Sequence, residues 1–171
     1  MESIPISEDG FRLVKKELEN HKKARPEVIQ AIKEAREEGD LKENAGYHAA
    51  RERQGMLEAR ITYIESRMPS FNVIDLAKVQ DEERALFGCT IVVEDIDTEE
   101  QKTFTIVGPD ETDFVEGSIS ILSPVGRALM GKEEGDEVII EVPRGRIEYE
   151  ILSVSYQGSA MFEAANKKYG I

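Results

Sequence analysis

Asp40 and Glu43 are the two acidic side chains whose type and spacing could carry chemistry in this sequence. They lie three residues apart, so both carboxylates can converge on one point. Two carboxylates are too few to hold Mg²⁺, which prefers six oxygen ligands in octahedral geometry. They could complete a metal site whose other ligands belong to another molecule. They could also form a general acid–base pair, although an exposed site lacks the burial that tunes a carboxyl pKa. A third interpretation stays open, in which both residues simply cap the next helix.

The elements that must position these carboxylates are two helices joined by a short turn. The upstream helix is indicated by apolar residues at helical spacing: Val28, Ile29, Ile32 and Ala35. The downstream helix is indicated by steps of three and four: Tyr47, Ala50, Gln54, Leu57, Ile61, Ile64 and Met68. Gly39 can end the first helix, and Asp40 or Asn44 can cap the second. So short a connection predicts an antiparallel hairpin with Asp40 and Glu43 at its tip, residues 39–44.

The hairpin is predicted to begin with a further helical run over residues 7–24. Pro26 lacks an N–H and crowds the preceding turn, so a kink or a restart is expected there. The second helix is expected to run from Asn44 to Met68, where Pro69 stops it. About 25 residues at ~1.5 Å each give a hairpin roughly 35–40 Å long.

The pattern changes to short β-branched runs after residue 70, which predicts a small antiparallel sheet. The expected strands cover residues 71–76, 89–94, 102–107, 119–122, 137–142 and 147–155. Ser123, Pro124 and Gly131 mark the start and end of one short helix between two strands. The chain is therefore predicted to be α+β, with a helical hairpin over 1–70, a sheet domain over 71–157 and a tail over 158–171.

Charge and composition limit the possible classes of protein. Residues 1–69 contain 13 Lys and Arg against 14 Asp and Glu, whereas residues 70–171 contain 9 against 21. The acidic second half would repel nucleic acid, so any contact with RNA or DNA is expected from the hairpin. Cys89 is the single cysteine and is expected to be a buried apolar residue in a reducing, cytoplasmic setting. No membrane-spanning run or signal peptide is expected.

One apparent nucleotide-binding motif is excluded by its context. The segment from Gly126 to Lys132 matches the first seven positions of a phosphate-binding P-loop. The eighth position is Glu133, so the hydroxyl that would bind magnesium is missing. The segment also looks like a helix already under way rather than a loop before one.

The tip sequence resembles that of bacterial GreA/GreB transcript cleavage factors, most of all the GreA type. The resemblance rests on the runs Gly-Asp-Leu-Lys-Glu-Asn-Ala at 39–45 and Tyr-His-Ala-Ala-Arg-Glu at 47–52. Further matching segments follow in order and spacing at 25–27, 35–37, 73–75, 87–88, 106–108, 123–124 and 131–134. The sequence departs from the family at Gly46, where a glutamate is common.

This resemblance implies an N-terminal antiparallel coiled coil, an FKBP-like C-terminal domain and a partner, bacterial RNA polymerase. The family's hairpin enters the polymerase secondary channel, and its C-terminal domain docks at the channel rim, here near Ser123 and Pro124. By resemblance, Asp40 and Glu43 help to hold a second Mg²⁺ at the polymerase active site and to orient a water. The polymerase then cleaves the displaced 3′ end of the nascent RNA. The chain would thus be no enzyme, have no cofactor of its own and act as a monomer.

Arg36 and Arg51 are candidates for contacting the extruded RNA, because they lie within about two turns of the tip on opposite helices. The alternative is that each forms a solvated ion pair, for example with Glu37 or Glu52. Tyr47 lies near the catalytic centre by resemblance, or it packs between the helices. So small a basic patch favours short RNA fragments, a GreA-like preference.

Two rival functions stand beside transcript cleavage. The first is a regulator or inhibitor of the same shape that occupies the channel without stimulating cleavage; the retained acidic pair at the tip argues against it. The second is a prolyl isomerase or chaperone that uses the FKBP-like domain. That chemistry needs an aromatic-lined apolar pocket, and the chain has no Trp and only 6% aromatic residues.

Overall fold

The computed structural model describes residues 2–40 and 42–171. Met1 and Leu41, the latter part of the tip sequence, lie outside the described residues. The chain divides into two compact units. One is Val14–Ser70, and the other joins the residues up to Leu13 with Phe71–Ile171. Among the described residues, no helix combines the length and apolarity needed to cross a membrane.

The first of these units is an antiparallel pair of helices, α2 (Ala45–Arg67) and the part of α1 (Glu8–Glu37) that follows Leu13. Two ion pairs show the antiparallel direction, because the residue nearer the start of α1 pairs with the residue nearer the end of α2. Arg25 forms a two-pronged hydrogen-bonded ion pair with Glu58 at 2.7 and 3.0 Å. Arg60 reaches back to Glu17 in the same way, at 3.0 and 3.1 Å. The predicted hairpin is therefore present, and all seven positions predicted for the α2 stripe are at least half-buried.

Two details of the first helix differ from the prediction. Helix α1 continues through Pro26 as a single 30-residue element, so the expected restart is wrong. Proline costs the helix one hydrogen bond, but neighbours on both sides are fixed: Arg25 pairs with Glu58, and Val28 is fully buried. Ile29 is 51% exposed, so it does not belong to the apolar stripe formed by Val28, Ile32 and Ala35.

The second unit contains a five-stranded sheet in the order β5-β4-β3-β7-β6. Its strands are β3 (Cys89–Asp95), β4 (Gln101–Val107), β5 (Ser118–Ser120), β6 (Glu137–Val142) and β7 (Gly145–Tyr156). Neighbouring strands run antiparallel except for β4 and β5, which are parallel. A register shift between Val92 and Val93 interrupts the β3–β7 pairing and bends the sheet. The α+β class is confirmed, with one parallel edge pair that was not expected.

Helix α3 (Pro124–Leu129) packs on one face of this sheet. It begins as predicted, because the Ser123 hydroxyl accepts a hydrogen bond from Gly126 N at 3.1 Å. Gly126 lies inside the helix, where a Cβ atom would collide with the Ser120 carbonyl oxygen. A phosphate-binding loop would precede its helix, but here the motif begins inside α3. The P-loop interpretation is therefore excluded.

The core between α3 and the sheet is built from inward-facing apolar residues of β3, β4, β6 and β7. Cys89 is one of them and is completely buried. Burial raises the pKa of its thiol to about 12, because the thiolate would lose its hydration. Cys89 is thus an apolar core residue and not a nucleophile, as predicted.

The residues up to Leu13 and the predicted tail, residues 158–171, both belong to the second unit. Strand β1 (Ile4–Ser7) pairs in parallel with β2 (Phe71–Ile74), so the first residues do not belong to the hairpin alone. The predicted tail is ordered as a 3₁₀ helix at Gly158–Phe162 followed by α4 (Glu163–Lys168). Its Phe162 is fully buried, which a free tail would not allow.

Candidate functional site at the hairpin tip

Asn44 organises the tip by capping both helices at once. Its side-chain oxygen accepts a hydrogen bond from Tyr47 N at 2.9 Å, which closes the first turn of α2. Its side-chain nitrogen donates to the Ala35 carbonyl at 2.6 Å, which satisfies the end of α1. Gly39 follows α1 with a φ of 138°, a conformation that favours glycine. Both helix ends are therefore capped by a residue other than the two candidate acids.

Asp40 and Glu43 are both exposed at the tip. Together with Glu38, Asn44 and Ala45 they line an open concavity of about 360 Å³. One oxygen of Asp40 accepts a hydrogen bond from Lys42 N at 3.0 Å, which shapes the turn. Within residues 2–40 and 42–171, Glu43 makes no hydrogen bond or ion pair. The interpretation of both acids as helix caps therefore fails on geometry, since Asn44 occupies that position.

The donor chemistry of the tip suits a hard divalent cation but supplies only part of a coordination sphere. Carboxylate oxygens are the ligands that Mg²⁺ prefers. In the described part of the chain, no group of three or more His, Cys, Asp or Glu side chains is arranged to hold a metal ion. A metal bound here would need most of its ligands from another molecule.

The three residues predicted to contact RNA lie on the two helices just below the tip. Tyr47 is half-buried, and the guanidinium of Arg36 lies 5.7 Å from the centre of its ring. Arg51 is exposed and donates to the Gln54 side chain at 3.4 Å. No ion pair of Arg36 or Arg51 occurs among the described residues, so their proposed pairs with Glu37 and Glu52 are not formed. Both arginines instead border one open concavity of about 530 Å³.

Ser123 and Pro124, the predicted docking residues, lie at the start of α3. The Ser123 hydroxyl is engaged on both sides, since it accepts from Gly126 N and donates to the Ser120 carbonyl at 2.6 Å. Pro124 is exposed, and the preceding Leu122 is 45% exposed. Ser123 therefore shapes this corner, while Leu122 and Pro124 present its apolar surface.

Three residues near these sites were not singled out from the sequence. Glu38 adds a third carboxylate to the tip concavity, and Lys33 borders the same concavity as Arg36 and Arg51. Leu122 adds an exposed apolar side chain beside Pro124. For Glu38 and Leu122, direct adjacency to the predicted residues was a usable signal. Lys33 could have been found because it lies one helical turn before Arg36.

Comparison with known proteins gives matches along most of the chain. Residues 4–73 match the family described as "Transcription elongation factor, N-terminal". Residues 80–156 match the family described as "Transcription elongation factor, GreA/GreB, C-term". Residues 157–171 lie outside both matches.

Two proteins named transcription elongation factor GreA share more than half of their residues with this chain. A protein named transcription elongation factor GreA from Nitratidesulfovibrio vulgaris (strain DSM 19637 / Miyazaki F) is 62% identical over 159 residues, which cover 93% of this chain and 99% of that protein. GreA from Maridesulfovibrio salexigens (strain ATCC 14822 / DSM 2638 / NCIMB 8403 / VKM B-1763) is 63% identical over 92% of this chain and 98% of its own length. Among solved structures, Gfh1 of Thermus thermophilus is 22% identical, with 90% of this chain and 99% of that chain covered. Its TM-score is 0.43.

Proposed function

Because the chain belongs to the GreA/GreB family of transcription elongation factors, we propose that it stimulates RNA polymerase to cleave backtracked RNA. In this role the hairpin enters the polymerase secondary channel, and the tip reaches the polymerase active site. The chemistry is performed by the polymerase, so this chain is an accessory factor and not itself an enzyme. Cleavage frees a new RNA 3′ end and rescues the arrested complex.

The observation that carries this proposal is that one residue caps both helices at the tip and leaves the two acids free of that role. Asn44 alone caps α2 and also binds the end of α1. Asp40 and Glu43 are exposed, and neither is needed to cap a helix. A protein gains little stability from two neighbouring exposed carboxylates, because like charges repel each other. Their presence is better explained by a ligand that arrives from outside.

That ligand would be a magnesium ion shared with the polymerase, which would polarise the attacking water and the scissile phosphate. Asp40 and Glu43 would contribute carboxylate oxygens to it. Acidic residues of the polymerase and the RNA phosphate would complete the oxygen shell, which explains why two protein ligands suffice here. The open concavity beside the two acids leaves room for these groups.

Arg36 and Arg51 would contact the RNA phosphates near the cleavage site. Both border the same concavity, together with Lys33. Neither arginine is neutralised by an ion pair within residues 2–40 and 42–171. Three cations make a small patch, so we expect weak, salt-sensitive binding of RNA and a preference for short fragments. Tyr47 would support Arg36 through its ring.

Docking would depend on the second unit, at the corner formed by Leu122 and Pro124. This unit carries most of the negative charge of the chain and would meet a basic or neutral surface on the polymerase rim. RNA polymerase is cytoplasmic in bacteria, so we propose that the factor acts in the cytoplasm. We also propose that it acts as a monomer.

The direct test is RNA shortening in a stalled, backtracked elongation complex of purified bacterial RNA polymerase. Added protein is expected to speed removal of the RNA 3′ end by at least tenfold over polymerase alone. Binding without any acceleration would favour the rival function, a channel-occupying regulator that does not stimulate cleavage. A prolyl isomerase assay serves as the control for the other class, and clear catalysis there would overturn the proposal.

A further inference from the structure

The last fifteen residues are a feature that the family matches do not cover. The C-terminal family match ends at residue 156, and the relatives with 62% and 63% identity are shorter than this chain. Yet residues 158–171 are ordered as a 3₁₀ helix and α4. We call residues 158–171 the strap. Its burial and its polar contacts show what it is attached to.

The strap is anchored in the second unit by its aromatic residues. Phe162 is completely buried, and Ala165 is nearly so. The rings of Tyr169 and Phe114 pack edge to face, with their centres 5.8 Å apart. Just before the strap, the Gln157 side chain donates to the Thr90 hydroxyl at 2.9 Å. Such burial is typical of a folded part of the domain, since a free tail leaves its aromatic residues in water.

The strap also contacts the first turn of helix α1. The Ser159 hydroxyl donates to an Asp9 carboxylate oxygen at 2.8 Å. Asp9 is buried to more than nine-tenths, although it lies in the first turn of a long helix. A buried carboxylate needs partners, so this hydrogen bond matters more than a similar one at the surface. The strap thus supplies one of two partners of Asp9, because Arg12 lies 3.9 Å from the other carboxylate oxygen.

A second carboxylate fixes the same turn from within the domain. Glu111 is fully buried and accepts hydrogen bonds from Ser7 N at 2.8 Å, from the Ser7 hydroxyl and from Gly108 N at 2.7 Å. The Ser7 oxygen in turn accepts from Gly10 N at 2.9 Å. A Cβ atom at Gly10 would collide with the Glu111 carboxylate, so the approach is close. The start of α1 is therefore clamped by Glu111 on one side and by the strap on another.

We propose that the strap is a positioning device that secures the first turn of α1, and that full transcript cleavage requires this attachment. This inference rests on the proposed function. Helix α1 is unbroken over 30 residues, about 45 Å, and the tip sequence follows its end. A pivot of about 10° at the first turn would displace the far end of such a rod by roughly 8 Å. Chemistry at a shared metal tolerates displacements of only about 0.5–1 Å.

The test compares Ser159→Ala, Ser159→Thr and Phe162→Ala in the full-length protein, with exposed Lys167→Ala as the matched control. The first readout is hydrogen exchange of the backbone amides in residues 8–13. Loss of the Ser159 hydroxyl should accelerate that exchange about fivefold to tenfold, because one hydrogen bond to a charged group is lost. Thr keeps the hydroxyl and should restore protection. Phe162→Ala should accelerate exchange further, and Lys167→Ala should have no effect.

The second readout is cleavage in the backtracked complex, measured as the maximal rate and as the protein concentration that gives half of it. Ser159→Ala and Phe162→Ala should lower the maximal rate severalfold and leave the half-maximal concentration within twofold, because docking is intact. Partial unfolding alone would instead raise the half-maximal concentration. Unchanged hydrogen exchange in residues 8–13 of both variants would contradict the proposal that the strap secures the first turn of α1. Faster exchange with an undiminished maximal cleavage rate would contradict the proposal that cleavage requires this attachment. If wild-type protein stimulates no cleavage, the proposed function fails, and the exchange experiment still decides whether the strap holds α1.

Discussion

Asn44 shows how one side chain can fix a turn that two other residues need for a different purpose. Its amide group provides one acceptor and two donors, and the structure uses the oxygen for α2 and the nitrogen for α1. Neither Asp nor Ser can do both, since a carboxylate has no donor and a hydroxyl is too short. The residue therefore leaves Asp40 and Glu43 available at the tip.

The double cap predicts a graded response to substitution of Asn44. Asn44→Ala loses both bonds and should lower the free energy of unfolding by about 2 kcal/mol. Asn44→Asp keeps the N-cap acceptor but points a carboxylate at the Ala35 carbonyl, so it should cost roughly 1 kcal/mol. Urea denaturation monitored by helical circular dichroism measures both. Equal stability of the Asp variant and wild type would show that the bond to Ala35 contributes nothing.

Glu111 is the residue whose ionisation should affect the second unit. Burial raises its pKa above the ordinary value, while hydrogen bonds from Ser7 and Gly108 act in the opposite direction and Asp9 adds to the rise. An acid with a raised pKa in the folded state contributes most stability below its unfolded pKa. That contribution is lost as the pH rises through the folded value.

The measurement is the difference in unfolding free energy between wild type and Glu111→Gln as a function of pH. This difference should be largest in acid, near pH 4, and should shrink as the pH rises above the ordinary pKa of glutamate. Conserved hydrogen-bond geometry in the variant can be checked by the amide signals of Ser7 and Gly108. A difference that grows with pH would mean that the three donors outweigh burial and lower the pKa instead.

Helix α2 contains two glycines, Gly46 near its start and Gly55 in its middle. Gly46 lies in the first turn of α2, and a Cβ atom there would lie 3.4 Å from the Asn44 side-chain oxygen, an ordinary contact. Gly55 lies in the middle, where a Cβ would meet nothing within 4 Å. Neither residue has the positive φ that would require glycine.

Gly46→Ala and the matched Gly55→Ala should each stabilise the hairpin by up to about 1 kcal/mol, because alanine loses less backbone entropy on folding. Thermal unfolding of the two variants beside wild type provides the measurement. A lower melting temperature for Gly46→Ala alone would show that the tip requires glycine at that position.

The helices and most strands could be predicted because their signals are local. Apolar steps of three and four predicted α2, and β-branched runs predicted β3, β4 and β6 nearly to the residue. Strand β1 was missed, since four residues containing Pro5 carry no pattern of their own, and their partner β2 lies 67 positions away. The restart at Pro26 was wrong, since α1 continues as one helix in which Arg25 pairs with Glu58 of α2 and Val28 is buried.

At the tip, the residue types pointed to the chemistry but could not decide between chemistry and capping. Either Asp40 or Asn44 satisfied the local rules for a cap. Only the folded turn shows that Asn44 reaches both helix ends. The strap was equally hidden, because the burial of Phe162 depends on residues that are distant in sequence.

On the scale of the whole molecule, charge separates the two proposed tasks. The near-neutral hairpin carries the cations that could contact RNA, and the acidic second unit carries the exposed apolar corner at Leu122.

If that corner docks on polymerase, Leu122→Asp should weaken binding about tenfold without lowering the melting temperature. Ile96→Asp, at a residue 39% exposed in the same unit, is the matched control. A competition binding assay measures both, and equal loss for the two variants would argue against a specific corner.

The central claim is that the tip carboxylates act in cleavage and not in folding or binding, and the double variant Asp40→Asn/Glu43→Gln tests it most directly. Both acids are exposed, so their neutral amides should leave the melting temperature nearly unchanged. A hard cation loses most of its attraction to a neutral amide. We expect the variant to bind a backtracked elongation complex as wild type does, to compete with wild type, and to stimulate RNA shortening at least a hundredfold less. Normal binding with cleavage near the wild-type rate would contradict the account.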